Sequence, residues 1–307
     1  MKVFLAGCEG VHFLPLVDVV GHRNALFSYY HWQANSEADR RTHRDTLNFG
    51  EFEVICDSGL FTLMFGAGKG GNYDFNFMRD YTIKYIATAK EFGINNLTIV
   101  ESDVHKLLGM PSVFELRKYF DDCGLNVLHV WHKEEGIDGL MRMAEQYKYI
   151  ALSIPELRIL FSGKKLRYQT ITQQLLQQIR THVGESRMPK IHLLGNTVTE
   201  TMQTTLAYSC DSTSWLAGGR FGRVMSYHDG KLTSIHKSSP RVDAWKKDIF
   251  PKYQKFVDKL TTNFGHNERY YEYQTCNLFS ALSYKRYQDF LDIGYPWIGL
   301  RREQNAN

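Results

Sequence analysis

The stretch INNLTIVESDVHKLLGMPSVFELRKYFDDCGLNVLHVWHKEEGIDGLMRMAEQYKYIALS (94–153) decides the fold. It holds three short apolar runs of β type, Asn96–Val100, Asn126–Trp131 and Tyr147–Leu152. Between them lie two segments whose apolar residues recur at helical spacing, Ser112–Cys123 and Ile137–Gln146. Strand and helix in strict alternation predict a mainly parallel sheet, because a parallel neighbour is reached only through a crossover. The pattern continues outward: Lys2–Ala6, Phe52–Cys56 and the helical Asp74–Phe92 precede this segment, and the helical Thr170–His182, then Lys190–Leu194 and a weaker Leu206–Cys210, follow it. A count of about seven or eight strands favours a closed (β/α)8 TIM-like barrel of α/β class over a doubly wound open sheet.

A chain of 307 residues accommodates one such barrel with an addition. From about residue 241 the character changes. DAWKKDIFPKYQKFVDKLTTNF (243–264) and ERYYEYQTCNLFSALSYKRYQDFLDI (268–293) read as two amphipathic helices, without a Pro/Ser/Gly linker before them. The expected organisation is therefore a barrel over 1–240 and a helical extension over 241–307 packed on it. With 43% hydrophobic and 23% charged residues, and 19 Phe, 18 Tyr and 5 Trp, the composition excludes disorder, collagen and coiled coil. No apolar run is long enough to span a bilayer, so a soluble cytoplasmic protein is expected. Five scattered cysteines without a CxxC pair argue for a reducing compartment and against a disulfide framework.

In a parallel barrel the active site lies at the carboxyl ends of the strands. Several apolar runs here pass directly into polar residues: Asp57-Ser58-Gly59, Glu101-Ser102-Asp103, His132, Ser153, Gly195-Asn196 and Asp211-Ser212. Asp and Ser after a strand also cap the next helix, so each alone has a structural explanation. Together, carboxylates converging on one mouth suit an enzyme that uses one as nucleophile or base and another as acid.

VICDSGLF (54–61), IHLLGN (191–196) and SCDSTSWLAGGRFGR (209–223) in that order resemble the tRNA-guanine transglycosylase superfamily, and most closely its deazapurine-in-DNA guanine transglycosylases of bacteria and their phages. The resemblance implies a base exchange in which a carboxylate attacks the anomeric carbon, guanine leaves and a 7-deazaguanine such as 7-cyano-7-deazaguanine takes its place. It assigns Asp211 as the nucleophile and Asp57 as the general acid/base, with Ser58 and Gly59 in the wall of the base pocket. Glu101 or Asp103 corresponds to the base-reading carboxylate, and His132, Ser153, Gly195 and Asn196 to further substrate contacts. DSGLF stands where the family has DSGGF, which alters the pocket at Leu60. The tRNA enzymes carry a zinc cluster of closely spaced cysteines after the nucleophile. Here only Cys276 follows Asp211, so neither a structural zinc nor any other cofactor is expected.

Three further signals have ordinary readings beside functional ones. FGAGKGG (65–71) contains GxGxxG, but it follows the DSGLF turn and does not open a helix from a strand, which suits an active-site lid better than a dinucleotide site. His129, His132 and Glu135 form HxxHxxE, yet residues three apart on a strand point to opposite faces, which disfavours a shared metal. Basic clusters at 40–44, 164–167 and 246–255 read as solvated faces. Arg220 and Arg223, just past the nucleophile in GGRFGR, are instead expected to contact a nucleic-acid backbone. DNA is the expected polymer, with tRNA the alternative; the sequence leaves the oligomeric state, a homodimer included, open.

Overall fold

The computed structural model describes residues 1–65, 71, 73–162, 167–196, 198–262 and 267–293. Eight parallel strands close into a barrel in sequence order: β1 (Lys2–Ala6), β2 (Asn24–Ser28), β3 (Glu53–Asp57), β4 (Leu97–Val100), β5 (Asn126–Trp131), β6 (Tyr149–Ser153), β7 (Lys190–Leu194) and β8 (Ser209–Ser212). Closure comes from β1 against β8, with Phe4 opposite Asp211. The long helices Phe75–Glu91, Met110–Asp121, Gly136–Gln146 and Tyr168–Val183 cross between strands as expected.

Alternation along each strand separates two cores. Phe4 and Ala6 of β1, Leu26 of β2, Ile55 of β3, Leu128 and Val130 of β5 and Ala151 of β6 fill the barrel interior with Val100. The intervening residues, among them Val3, Leu5, Ala25, Phe27, Val54, Cys56 and Ile99, pack outward in the larger core that holds the helices. This register has a consequence for function. Asp57 lies two residues beyond inward-facing Ile55, so both point the same way and the carboxylate stands at the carboxyl-end mouth.

Among the strands, β2 and a hairpin after β8 have no counterpart in the sequence reading. Strand β2 begins with a buried Asn24, whose side-chain amide donates to Gln288 Oε1 at 3.4 Å. A polar residue satisfied from the far end of the chain hides the strand's apolar pattern. After β8, Arg223–His228 (β9) and Lys231–His236 (β10) form an antiparallel hairpin. Its two-residue turn is Asp229-Gly230, both at positive φ (45° and 72°), the conformation that Asp-Gly favours between paired strands.

The C-terminal segment differs in detail from two amphipathic helices. The first stretch is divided into Pro240–Asp248, a short turn at Phe250–Lys252 and Gln254–Thr262, because Pro251 has no N–H to continue the first helix. The second is one helix, Glu268–Asp292, buried on several sides from Gln274 to Gln288 and packed on β1, β9 and the helix Leu14–Val19. Gln288 Oε1 accepts from the Val3 N–H at 2.7 Å, and its amide donates to the Met1 carbonyl at 3.1 Å. Tyr284 OH meets Ser212 Oγ at 2.9 Å, which anchors the end of β8. All five cysteines are free and buried. Among the described residues no helix is long and apolar enough to cross a membrane.

Candidate active site

A cavity of about 1120 Å³ opens at the carboxyl ends of the strands. Asp57, Ser58, Glu101, Asp103, Gly195 and Asp211 all line it. An equally large cavity lies at the opposite end, around Asn96, Lys148 and Lys190, where barrel residues serve stability more than chemistry.

Asp211 ends the inward row of β8. Its Oδ1 accepts from the Gly195 N–H at 2.8 Å and lies 3.2 Å from His192 Nε2. Gly195 adopts φ +63°, which turns its N–H toward the carboxylate and suits a residue without Cβ. His192 is fully buried, and its Nδ1 lies 2.8 Å from Ser209 Oγ, which in turn lies 2.5 Å from Tyr149 OH. One tautomer satisfies the whole chain: Tyr149 donates to Ser209, Ser209 to Nδ1, and Nε2–H to Asp211. Among the described residues no hydrogen bond uses Oδ2 of Asp211, so that oxygen is available to a substrate.

Asp57 sits in a different environment. Its Oδ2 accepts from the Gly59 N–H at 3.1 Å. Burial, reinforced by the charges of Asp211 and Asp103 and opposed by that N–H, pushes the carboxyl up to about 6. Gly59 itself has φ +73°, and a Cβ there would collide with Ser28 and Tyr30. A further carboxyl, absent from the sequence reading, joins the group. Glu9, in the loop after β1, lines the same cavity; its Oε2 accepts from the Ser28 N–H at 3.3 Å. Burial and the Asp57 charge, against the Ser28 and its own backbone N–H, push it up to about 7. The signal available in the sequence was its place just past the end of β1.

The remaining residues separate into cavity-facing and structural. Both oxygens of Glu101 accept from Arg117, Nε to Oε2 at 3.0 Å and Nη2 to Oε1 at 2.8 Å, and Oε2 also meets His129 Nδ1 at 2.9 Å. Although burial opposes it, the His129 and Arg117 partners draw the Glu101 carboxyl below its usual range. Asp103 is 42% exposed and meets His105 Nδ1 at 2.5 Å, so of the two carboxylates after β4 it is the one presented to a ligand. His132 is buried beneath it, with Nδ1 3.8 Å from Asp103 Oδ1. His129 is held by Glu101, and Glu135 pairs with Arg117 at 3.0 Å, so the three residues of HxxHxxE do not converge. Ser153 caps the helix Ile154–Leu160 by accepting from the Glu156 N–H at 3.4 Å. Asn196 is buried and accepts from the Val198 N–H at 3.4 Å. Neither Ser153 nor Asn196 lines the cavity. Arg223 opens β9, and its guanidinium donates across the hairpin to Ser234 Oγ and O at 2.8 and 2.7 Å. Arg220 lies on the short helix Ala217–Phe221, its side chain outside the described residues, as are residues 66–70 of the expected lid. Between the two arginines, Phe221 is 74% exposed and stands at the cavity rim.

No protein-family model matches the chain, and no curated protein sequence matches it. Among solved structures, a monomeric dihydrodipicolinate synthase variant is similar at 12% identity over 69% of each chain, with a TM-score of 0.42. A protein described as a fructose-1,6-biphosphate aldolase from Coccidioides immitis is similar at 10% identity, covering 94% of this chain and 88% of its own, with a TM-score of 0.46. A D-psicose 3-epimerase from Clostridium cellulolyticum H10 is similar at 9% identity over 94% and 99%, with a TM-score of 0.44.

Proposed function

We propose that this protein is a base-exchanging glycosyltransferase that replaces guanine in DNA with a 7-deazaguanine derivative through a covalent bond to Asp211. One observation carries the reading: Asp57 and Asp211, from β3 and β8, face one cavity from the mouth of the barrel in unequal environments. An exchange with retention needs a carboxylate oriented to attack and a second group that holds a proton near neutral pH. Asp211, fixed through Oδ1 with Oδ2 unused, suits the first task; Asp57, pushed up to about 6, suits the second.

The steps follow. Oδ2 of Asp211 bonds to the anomeric carbon as the glycosidic C–N bond breaks, and the departing guanine takes its proton from Asp57. The incoming deazaguanine gives a proton back to Asp57 and displaces Asp211, so two inversions restore the configuration. Glu9 is a second proton carrier on the same wall. Asp103, rather than Glu101, is the carboxylate that reads the base, because Arg117 already occupies both oxygens of Glu101. The cavity exceeds the roughly 300–1,000 Å³ of ordinary small-ligand pockets, which leaves room for a flipped nucleotide. Exposed Phe221 at its rim offers a stacking face for a neighbouring base.

The test is incorporation of labelled 7-cyano-7-deazaguanine into matched DNA and tRNA, with intact-mass detection of a nucleic-acid adduct on the wild type and on Asp211→Asn. Incorporation into DNA that is lost in the variant supports the reading. Preference for tRNA transfers it to tRNA-guanine exchange, and base release without incorporation replaces it with an N-glycosidase.

A further inference from the structure

His132 is 1% exposed, and among the described residues no hydrogen bond reaches either of its ring nitrogens. A buried imidazole left unsatisfied is costly, and such a group in a folded protein calls for an explanation. Its neighbours supply one. Ligand atoms of Asp103, His105 and His132 all lie within 4.8 Å of one another. The two imidazole rings are 4.3 Å apart between centroids and tilted by 37°. Asp103 Oδ1 stands between them, 2.5 Å from His105 Nδ1 and 3.8 Å from His132 Nδ1.

These side chains come from the carboxyl ends of adjacent strands: Asp103 and His105 from the segment after β4, and His132 from the residue after β5. A fourth residue, Glu156 after β6, stands beside the other nitrogen of His105, with Oε1 3.1 Å from Nε2 but outside hydrogen-bond geometry. That oxygen is also held by Lys106 Nζ at 2.6 Å. An imidazole whose far nitrogen meets a carboxylate is the usual arrangement of a metal-bound histidine, since the carboxylate fixes the ring and strengthens it as a donor.

The geometry points to a divalent transition-metal site built from Asp103, His105 and His132, with Glu156 orienting His105 and Asp103 on the cavity side. Two imidazoles and one carboxylate suit zinc, iron(II) or manganese(II) and disfavour calcium and magnesium, which prefer oxygen ligands. Ligand atoms around such an ion, each about 2.0–2.2 Å from it, lie roughly 3–3.5 Å apart. Side-chain adjustments of about an ångström reach that spacing from the separations seen here. The sequence expectation of no metal counted only cysteine-rich patterns and the HxxHxxE run. This set joins residues from two strand ends with a different histidine. It does not depend on the transglycosylase reading: the imidazoles meet Oδ1 of Asp103, which leaves Oδ2 for a base, and the test uses no activity readout.

The full chain, stripped with chelator and dialysed, is titrated with zinc by calorimetry and with cobalt(II) by visible absorption. The expected result is one equivalent bound with micromolar or tighter affinity and a cobalt spectrum typical of nitrogen and oxygen ligands. Asp103→Ala, which removes a half-exposed side chain, should weaken binding at least tenfold, as should His132→Gln; Glu156→Gln should weaken it roughly 10- to 100-fold through loss of orientation. Circular dichroism and thermal unfolding of each apo variant check that it folds, and Asp103→Ala stands alone should His132→Gln fail. No stoichiometric binding by the wild type, or binding unchanged in folded Asp103→Ala, overturns the assignment and leaves His105 as an imidazolium shared between Asp103 and Glu156.

Discussion

Replacing Asp57 by Asn separates the stability of the fold from its chemistry. In the folded protein, burial with the charges of Asp211 and Asp103 pushes this carboxyl from 3.8 to about 6. A raised value means that the protonated form is favoured by the fold, so the stabilisation is fully present below about 3.8 and lost as the pH rises through about 6. At ~1.4 kcal/mol per pKa unit the complete loss is ~3 kcal/mol, with most of it falling between pH 4 and 6. Asn keeps the shape and carries no charge at any of these pH values. Urea unfolding of the two proteins should therefore show the variant gaining on the wild type by ~2–3 kcal/mol from pH 4 to pH 7, and no further above pH 7. Glu9 titrates in both proteins, and the part of its shift set by burial, its largest cause, cancels in the difference. The same variant should lose base exchange by about 10²–10⁴-fold, with disappearance of the alkaline limb of the pH–rate profile, the fall in rate as Asp57 gives up its proton above about pH 6. Stability curves that run parallel across this range would refute the argument, because Asp57 would then ionise as readily in the fold as out of it.

Four other outcomes follow from the same geometry. Asp211→Asn should fold normally and reduce exchange by roughly 10³-fold or more, measured by labelled-base incorporation. His192→Gln acts only through Asp211, so it should lower kcat by about tenfold or more while leaving KM near its original value; an effect on KM alone would remove His192 from a positioning role. Gly59→Ala should destabilise the protein by at least ~2 kcal/mol in chemical denaturation, since its φ of +73° and the Ser28 and Tyr30 contacts both oppose a Cβ. Gln288→Leu leaves the Val3 N–H without its acceptor and should cost ~1–3 kcal/mol in the same assay.

The barrel was legible because its crossover helices and most of its strands carry their periodicities in contiguous sequence. Strand β2 was not, since Asn24 depends on Gln288, and no local pattern reveals a partner at the other end of the chain. The hairpin β9–β10 was within reach: Asp229-Gly230 between short alternating runs is a strong local turn signal. Within the site, Asp57 could be placed at the end of a clear apolar run, and Asp211 at the end of a weaker one with the help of the resemblance. Their different environments could not, because the Gly195 N–H, His192 and the burial of Asp57 arise only when the barrel closes.

The same reasoning separates Glu101 from Asp103, which the sequence left as equals. Both follow β4 and both line the cavity. What distinguishes them is Arg117, on the helix that crosses from β4 to β5, which places a planar fork on both oxygens of Glu101 and a further nitrogen on Glu135. A carboxylate held in this bidentate way sits in place as part of the wall, and removing Arg117 would leave buried Glu101 with His129 alone, at a cost of several kcal/mol. Asp103, two residues on, has no such clamp and remains half exposed against His105. An acidic residue at a strand end is thus a candidate for chemistry only after the neighbouring crossover helix has been searched for the cation that would claim it, and here that search leaves Asp57, Asp211, Glu9 and Asp103 facing the cavity.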